Sequence, residues 1–150
     1  MKKESQLWYF TIEIDVLNTF LTVIVCDNKE VLDSYAPRID KKIGKENIVS
    51  SFVSKVIMNE DYLYSQTYQV NNIYGDIIVL FNSSDINKVP LEDMVHEFHH
   101  ASSFLCDFRG IDDEETETYV QQYLFNQMLC KINEWKNSQK KAKRKPKKKA

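Results

Sequence analysis

The sequence predicts an α+β fold: antiparallel strands joined as hairpins, with one helix, in its first half, and two longer helices in its second. Aromatic and β-branched residues dominate 7–26 and 68–81, as in pleated strands. Apolar residues recur at three- and four-residue spacing through 46–58, 91–105 and 119–135, as on amphipathic helices. Strand runs come first and the long helical runs last, the order of an α+β chain rather than an alternating one.

Leu7–Val16 and Phe20–Cys26 flank Asn18-Thr19 and predict a hairpin with Trp8, Phe10, Ile12 and Ile14 on one face. Asp27-Asn28-Lys29 is a turn, and Val31–Arg38 reads as a short strand closed by Pro37. Glu46–Met58, with Ile48, Val49, Phe52, Val53, Val56 and Ile57, has helical spacing. Tyr68–Ile73 and Ile77–Phe81 straddle Tyr74-Gly75-Asp76 and predict a second hairpin. Pro90 suits a helix's first turn, Glu92 and Asp93 complement its dipole, and Gly110 suits its stop. Between them Leu91, Met94, Val95, Phe98, Ala101 and Leu105 form one apolar stripe, giving a helix of about 18 residues. Asp112-Asp113-Glu114-Glu115-Thr116-Glu117 opens the last helix, whose stripe runs through Tyr119, Val120, Tyr123, Leu124, Met128, Leu129, Ile132 and Trp135. The short turn between these helices makes them antiparallel neighbours.

All three histidines of the chain fall in His96-Glu97-Phe98-His99-His100, which reads H-E-x-x-H. On a helix, positions i and i+4 lie one turn apart on one face, so His96 and His100 can aim ring nitrogens at one zinc ion. Glu97 beside them can take a proton from water at that zinc. On the helical wheel the two histidines stand at a shoulder of the apolar stripe, which suits a cleft wall. His99 points nearer the core side, as a packing or supporting residue. The other reading of the pentad is the polar surface of an ordinary amphipathic helix. A catalytic zinc site takes three protein ligands. No further histidine exists and the cysteines are poorly placed, so the third ligand falls to a carboxylate of the 112–117 run.

The quoted residues resemble the gluzincin-type zinc metallopeptidase domains, and within them the small zincin-like proteins of tailed bacteriophages. The matching positions are His96-Glu97-Phe98-His99-His100-Ala101, Gly110-Ile111, Glu114-Glu115, and Tyr119 followed by Tyr123-Leu124, within residues 75–130. The resemblance implies a zincin-like fold, with Zn2+ held by His96, His100 and Glu115, Glu114 being the alternative ligand. It also implies Glu97 as general base. Thr116 and Thr118 depart from the small residues usual there, and the periodicity turns Glu114 and Glu117 nearer the apolar face than Glu115. Tyr119 and His99 are the candidates for oxyanion support, and Asp112 or Asp113 for orienting an imidazole. In zincins the strand beside the active-site helix lines the cleft. The resemblance therefore implies that Asp76–Phe81 offers its edge to an extended peptide, the other reading being an ordinary buried strand.

The net charge of −2 conceals an asymmetry. Residues 136–150 contain nine Lys or Arg and no acid, whereas residues 1–135 hold 11 basic and 22 acidic residues, a net of −11. The sequence therefore predicts one domain over 1–136 and a disordered basic tail over 137–150, able to contact nucleic acid or an anionic surface, to sit on its own acidic domain, or to serve only as a solubilising extension. No run of about 18 apolar residues exists to cross a membrane. The N-terminal stretch does not read as a signal peptide. Cys26, Cys106 and Cys130 read as reduced thiols, and the chain as a cytoplasmic protein, of the host cell if phage-encoded. Three functions fit these features: a zinc metallopeptidase acting on a peptide or protein, an inactive zincin-fold phage structural or host-interaction protein, and a nucleic-acid-associated protein working through its basic tail.

Overall fold

The computed structural model describes residues 7–14, 19–57 and 64–144. It shows an α+β chain in which helices cover both faces of a four-stranded mixed sheet. Strands β1 (Trp8–Ile14) and β2 (Thr19–Val25) form the expected antiparallel hairpin, Trp8 opposite Val25 and Ile14 opposite Thr19. Strands β3 (Gln66–Gln69) and β4 (Ile77–Phe81) form the second, with a longer connection than the sequence suggested. The two hairpins join through a parallel pairing of β2 with β4, Leu21 opposite Ile77 and Val25 opposite Phe81. The sheet order is therefore β1-β2-β4-β3.

This order corrects the expectation for Asp76–Phe81. β4 is hydrogen-bonded on both sides and has no edge to offer, and all five of its residues are buried. Its unbroken apolar run, Ile-Ile-Val-Leu-Phe, is what a strand covered on both faces requires. Among the described strands, β3 is the one at that side of the sheet, and it pairs with β4 alone.

Alternation along the strands divides the core into two layers. Phe10, Ile12, Leu21, Val23, Val25, Ile77, Val79 and Phe81 face helices α3 (Leu91–Phe108) and α4 (Glu114–Arg144). Trp8 and Ile14 pack against the same layer, as the predicted hairpin face required. Ile24, Ile78 and Leu80 face α1 (Lys29–Ile43) and α2 (Ile48–Phe52), the latter continued by a π-helical turn at Val53–Ile57.

Helix α1 replaces the short strand expected at Val31–Arg38. Asn28 Oδ1 accepts the Val31 amide at 3.0 Å as an N-cap, and Gly44, at φ +71°, closes the helix in the left-handed conformation. Between these caps Leu32, Ala36 and Ile39 are buried at helical spacing. Pro37 lies inside the helix, on its exposed side. The caps and the period outweigh the proline. The expected helix over Glu46–Met58 is present from Ile48 to Ile57, with Met58 outside the described residues.

The expected boundary at residue 136 is not where α4 ends. The helix continues through Arg144, eight residues into the stretch assigned to a disordered tail, and 145–150 lie outside the described residues. Among the described residues no helix is long and apolar enough to cross a membrane.

Candidate metal centre

Helix α3 has the 18-residue length its sequence predicted. Pro90 occupies the capping position before it, and its carbonyl accepts the Met94 amide at 3.2 Å. At the other end Gly110, at φ +67°, turns the chain so that its own N–H reaches the Asp107 carbonyl at 3.1 Å and that of Ile111 reaches the Cys106 carbonyl at 2.9 Å. This double closure is a Schellman motif, and the left-handed glycine makes it possible.

One flank of α3 is stitched to β3. Ser65, Thr67 and Gln69, alternate residues at and within the strand, donate to Asp93, Glu97 and the Phe104 carbonyl respectively. The opposite flank meets α4, where Ser103 Oγ donates to the Glu117 carboxylate and Gln121 Nε2 to the Val95 carbonyl at 3.3 Å. At 100° per residue, His96 and His100 fall between these flanks, turned away from Phe98, Ala101 and Leu105 in the core. Both are exposed.

The two imidazoles converge, with His96 Nε2 and His100 Nε2 3.1 Å apart and the ring planes inclined at 84°. Two nitrogen lone pairs repel at that distance unless a proton or a cation lies between them. Tetrahedral zinc with Zn–N bonds of 2.0–2.1 Å sets its nitrogen ligands about 3.3 Å apart. The 3.1 Å separation is that of an N–H···N hydrogen bond between the rings, and it also lies close to the spacing of two imidazoles on one zinc ion. Phe104 stacks against His100, with ring centroids 6.4 Å apart.

Glu97 occupies a different environment from the histidines. It is 4% exposed, and Thr67 Oγ1 lies 2.5 Å from its Oε2 and 3.0 Å from its main-chain oxygen. Sequence reasoning did not find Thr67, because nothing local in a strand of alternating polar residues tells which helix it faces. His99, expected nearer the core, is exposed. One step of −100° from His100 carries it to the α4 side, away from the sheet. Its ring lies 6.2 Å from that of His100.

The acidic run divides by contact. Glu115 is exposed, and its Oε1 accepts from Tyr119 OH at 3.3 Å, one turn on. Tyr119 is 62% exposed. Glu114 is exposed as well. Glu117 is the acid that reaches α3, at Ser103, one turn beyond His100. Asp113 caps α4 by accepting from the Glu115 and Thr116 amides, and the Thr116 hydroxyl holds its carboxyl below the usual range. Among the described residues no group of three or more His, Cys, Asp or Glu side chains gathers at one point. The structure thus joins two of the expected ligands and brings neither Glu115 nor Glu114 to them.

The cysteines stand apart. Burial pushes the Cys26 and Cys106 thiols up, and the carboxylates of Glu117, Asp107 and Asp113 add to the effect at Cys106. Both remain protonated at neutral pH, which makes them poor nucleophiles and poor metal ligands. Comparison with protein-family models, curated proteins and solved structures finds no match to the chain.

Proposed function

We propose that this protein is a zinc-dependent metallopeptidase in which His96 and His100 hold the metal and Glu97 is the general base. The observation that carries the reading is the 3.1 Å convergence of the two Nε2 atoms on one helix face. Bound zinc would lower the pKa of water and polarise a substrate carbonyl. The third ligand comes from the first turns of α4. Resemblance favours Glu115, and the contact with Ser103 favours Glu117.

With the metal bound, Glu97 would take the proton of the water and pass it to the leaving amine. Thr67 holds that carboxylate, so β3 sets the orientation of the base. Among the described residues, no strand pairs with the outer edge of β3, which lies on the Glu97 flank of α3, and an extended peptide can add there as a further strand through main-chain hydrogen bonds. Substrates of this class are peptides or unfolded protein segments.

The burial of Glu97 favours a second reading, a metal-binding module without hydrolysis. Glu97→Gln separates the two, because the amide keeps a partner for Thr67 and cannot act as the base. A peptidase loses hydrolysis of a quenched-fluorescence peptide library by about 10²-fold or more and keeps its metal. Metal-loaded wild type with no turnover on the library supports the module. Glu115→Ala and Glu117→Ala, compared by zinc affinity, assign the third ligand.

A further inference from the structure

Trp135 is the last residue of α4 that is even partly buried, and 136–144 are all exposed. The helix therefore projects about 13 Å beyond its last packed side chain, at 1.5 Å per residue. Within this arm Lys136, Lys140, Lys143 and Arg144 fall inside a sector of about 100° at 100° per residue. Lys141 stands about 60° outside that sector, and Asn137, Ser138, Gln139 and Ala142 cover most of the remaining surface. The last acid of the chain, Glu134, accepts from Lys131 at 3.2 Å and so faces back along the helix.

The arrangement is costly by itself. Lys136 and Lys140, Lys140 and Lys143, and Lys140 and Arg144 are like-charge pairs at i, i+4 or i, i+3, which weaken an isolated helix. A polyanion lying along the stripe adds attractions that offset these repulsions. The arm is continuous with packed α4, so it points away from the acidic body instead of folding back on it.

We infer that residues 136–144 are a docking surface for double-stranded DNA. The chemistry selects the partner among polyanions. A helix about 10–12 Å across matches the B-form major groove, which is about 12 Å wide. The A-form groove of duplex RNA is too narrow to admit it. Residues 136–144 include no aromatic side chain, so the arm offers a single strand no stacking platform. Residues 136–144 include no large apolar residue either, so the arm lacks the face that inserts into a membrane surface. The contacts are to phosphates and carry no base specificity. This inference does not depend on the metal centre.

The test is binding of the full-length chain to a short labelled DNA duplex, followed by fluorescence anisotropy across a salt series. The expected result is sequence-independent binding whose affinity falls steeply with salt. Lys136→Gln/Lys140→Gln/Lys143→Gln/Arg144→Gln should reduce the slope of log affinity against log salt by about four, about one per lost phosphate contact. Lys41→Gln/Lys88→Gln, on the body, should leave the slope unchanged. The arm residues touch nothing in the core, so an unchanged melting temperature shows that the variant is folded. An unchanged slope in the quadruple variant overturns the inference. So does binding to phosphatidylserine vesicles that is as tight as binding to the duplex, or a basic stripe whose loss affects only self-association.

Discussion

His96 and His100 owe their convergence to one geometric rule, that four residues on a helix make slightly more than a turn. Glu97, one step of 100° away, turns toward the sheet, so the pentad splits into an exposed pair and a buried acid. The split was hidden in the sequence because a helical wheel gives angles without saying which neighbour fills each one. Thr67 is that neighbour for Glu97. Thr67→Val keeps the shape of the side chain and removes the hydroxyl, leaving a buried carboxylate without that donor. It should cost about 1–3 kcal/mol of stability, read from urea unfolding. Thr67→Ser should restore most of it. Equal stability of the valine variant and the wild type would mean that Glu97 does not depend on β3.

At the scale of elements, α3 was fully legible. Its apolar period, the proline before it and the glycine after it agree, and the helix starts at Leu91 and ends at Phe108. The first hairpin was legible from the alternation of its two strands, although Thr19, expected between them, opens β2, and Asn18 lies outside the described residues. Val31–Arg38 misled because proline was weighed above the Asn28 cap and the Leu32, Ala36, Ile39 period. The sheet order was not legible, since parallel pairing of β2 with β4 joins segments more than 50 residues apart. The β3–β4 connection then docks on the end of α3. Arg109 donates to Thr19 and to the Tyr74 carbonyl, and Phe108 covers Gly75. Gly75 has φ +65°, and a Cβ there would lie within 2.8 Å of three Phe108 ring atoms. Gly75→Ala should therefore destabilise the fold by about 1–3 kcal/mol, combining left-handed strain with overpacking. Thermal denaturation measures it, and a melting temperature equal to that of the wild type would remove the proposed contact.

For the whole molecule, the sheet is the partition. Helices α1 and α2 close one face, while α3 and α4 on the other carry both the histidine pair and the basic arm. The charge asymmetry was plain from composition, but its form was not. Helical continuity from Trp135 to Arg144 turns an expected loose tail into a projecting rod. Which acid of the run meets α3 was not legible, because several acids in one helical turn satisfy the same sequence argument, and packing distinguishes Glu117, held by Ser103, from Glu115, held by Tyr119. The central claim is that the α3 histidine pair holds zinc, and the most direct measurement is metal content per chain by elemental mass spectrometry. It should be made on purified wild type and on His96→Ala/His100→Ala, each after incubation with zinc and removal of the excess. About one zinc per wild-type chain and none in the double variant is the result predicted for a single three-ligand site. Equal metal in both proteins, or none in either, would contradict it.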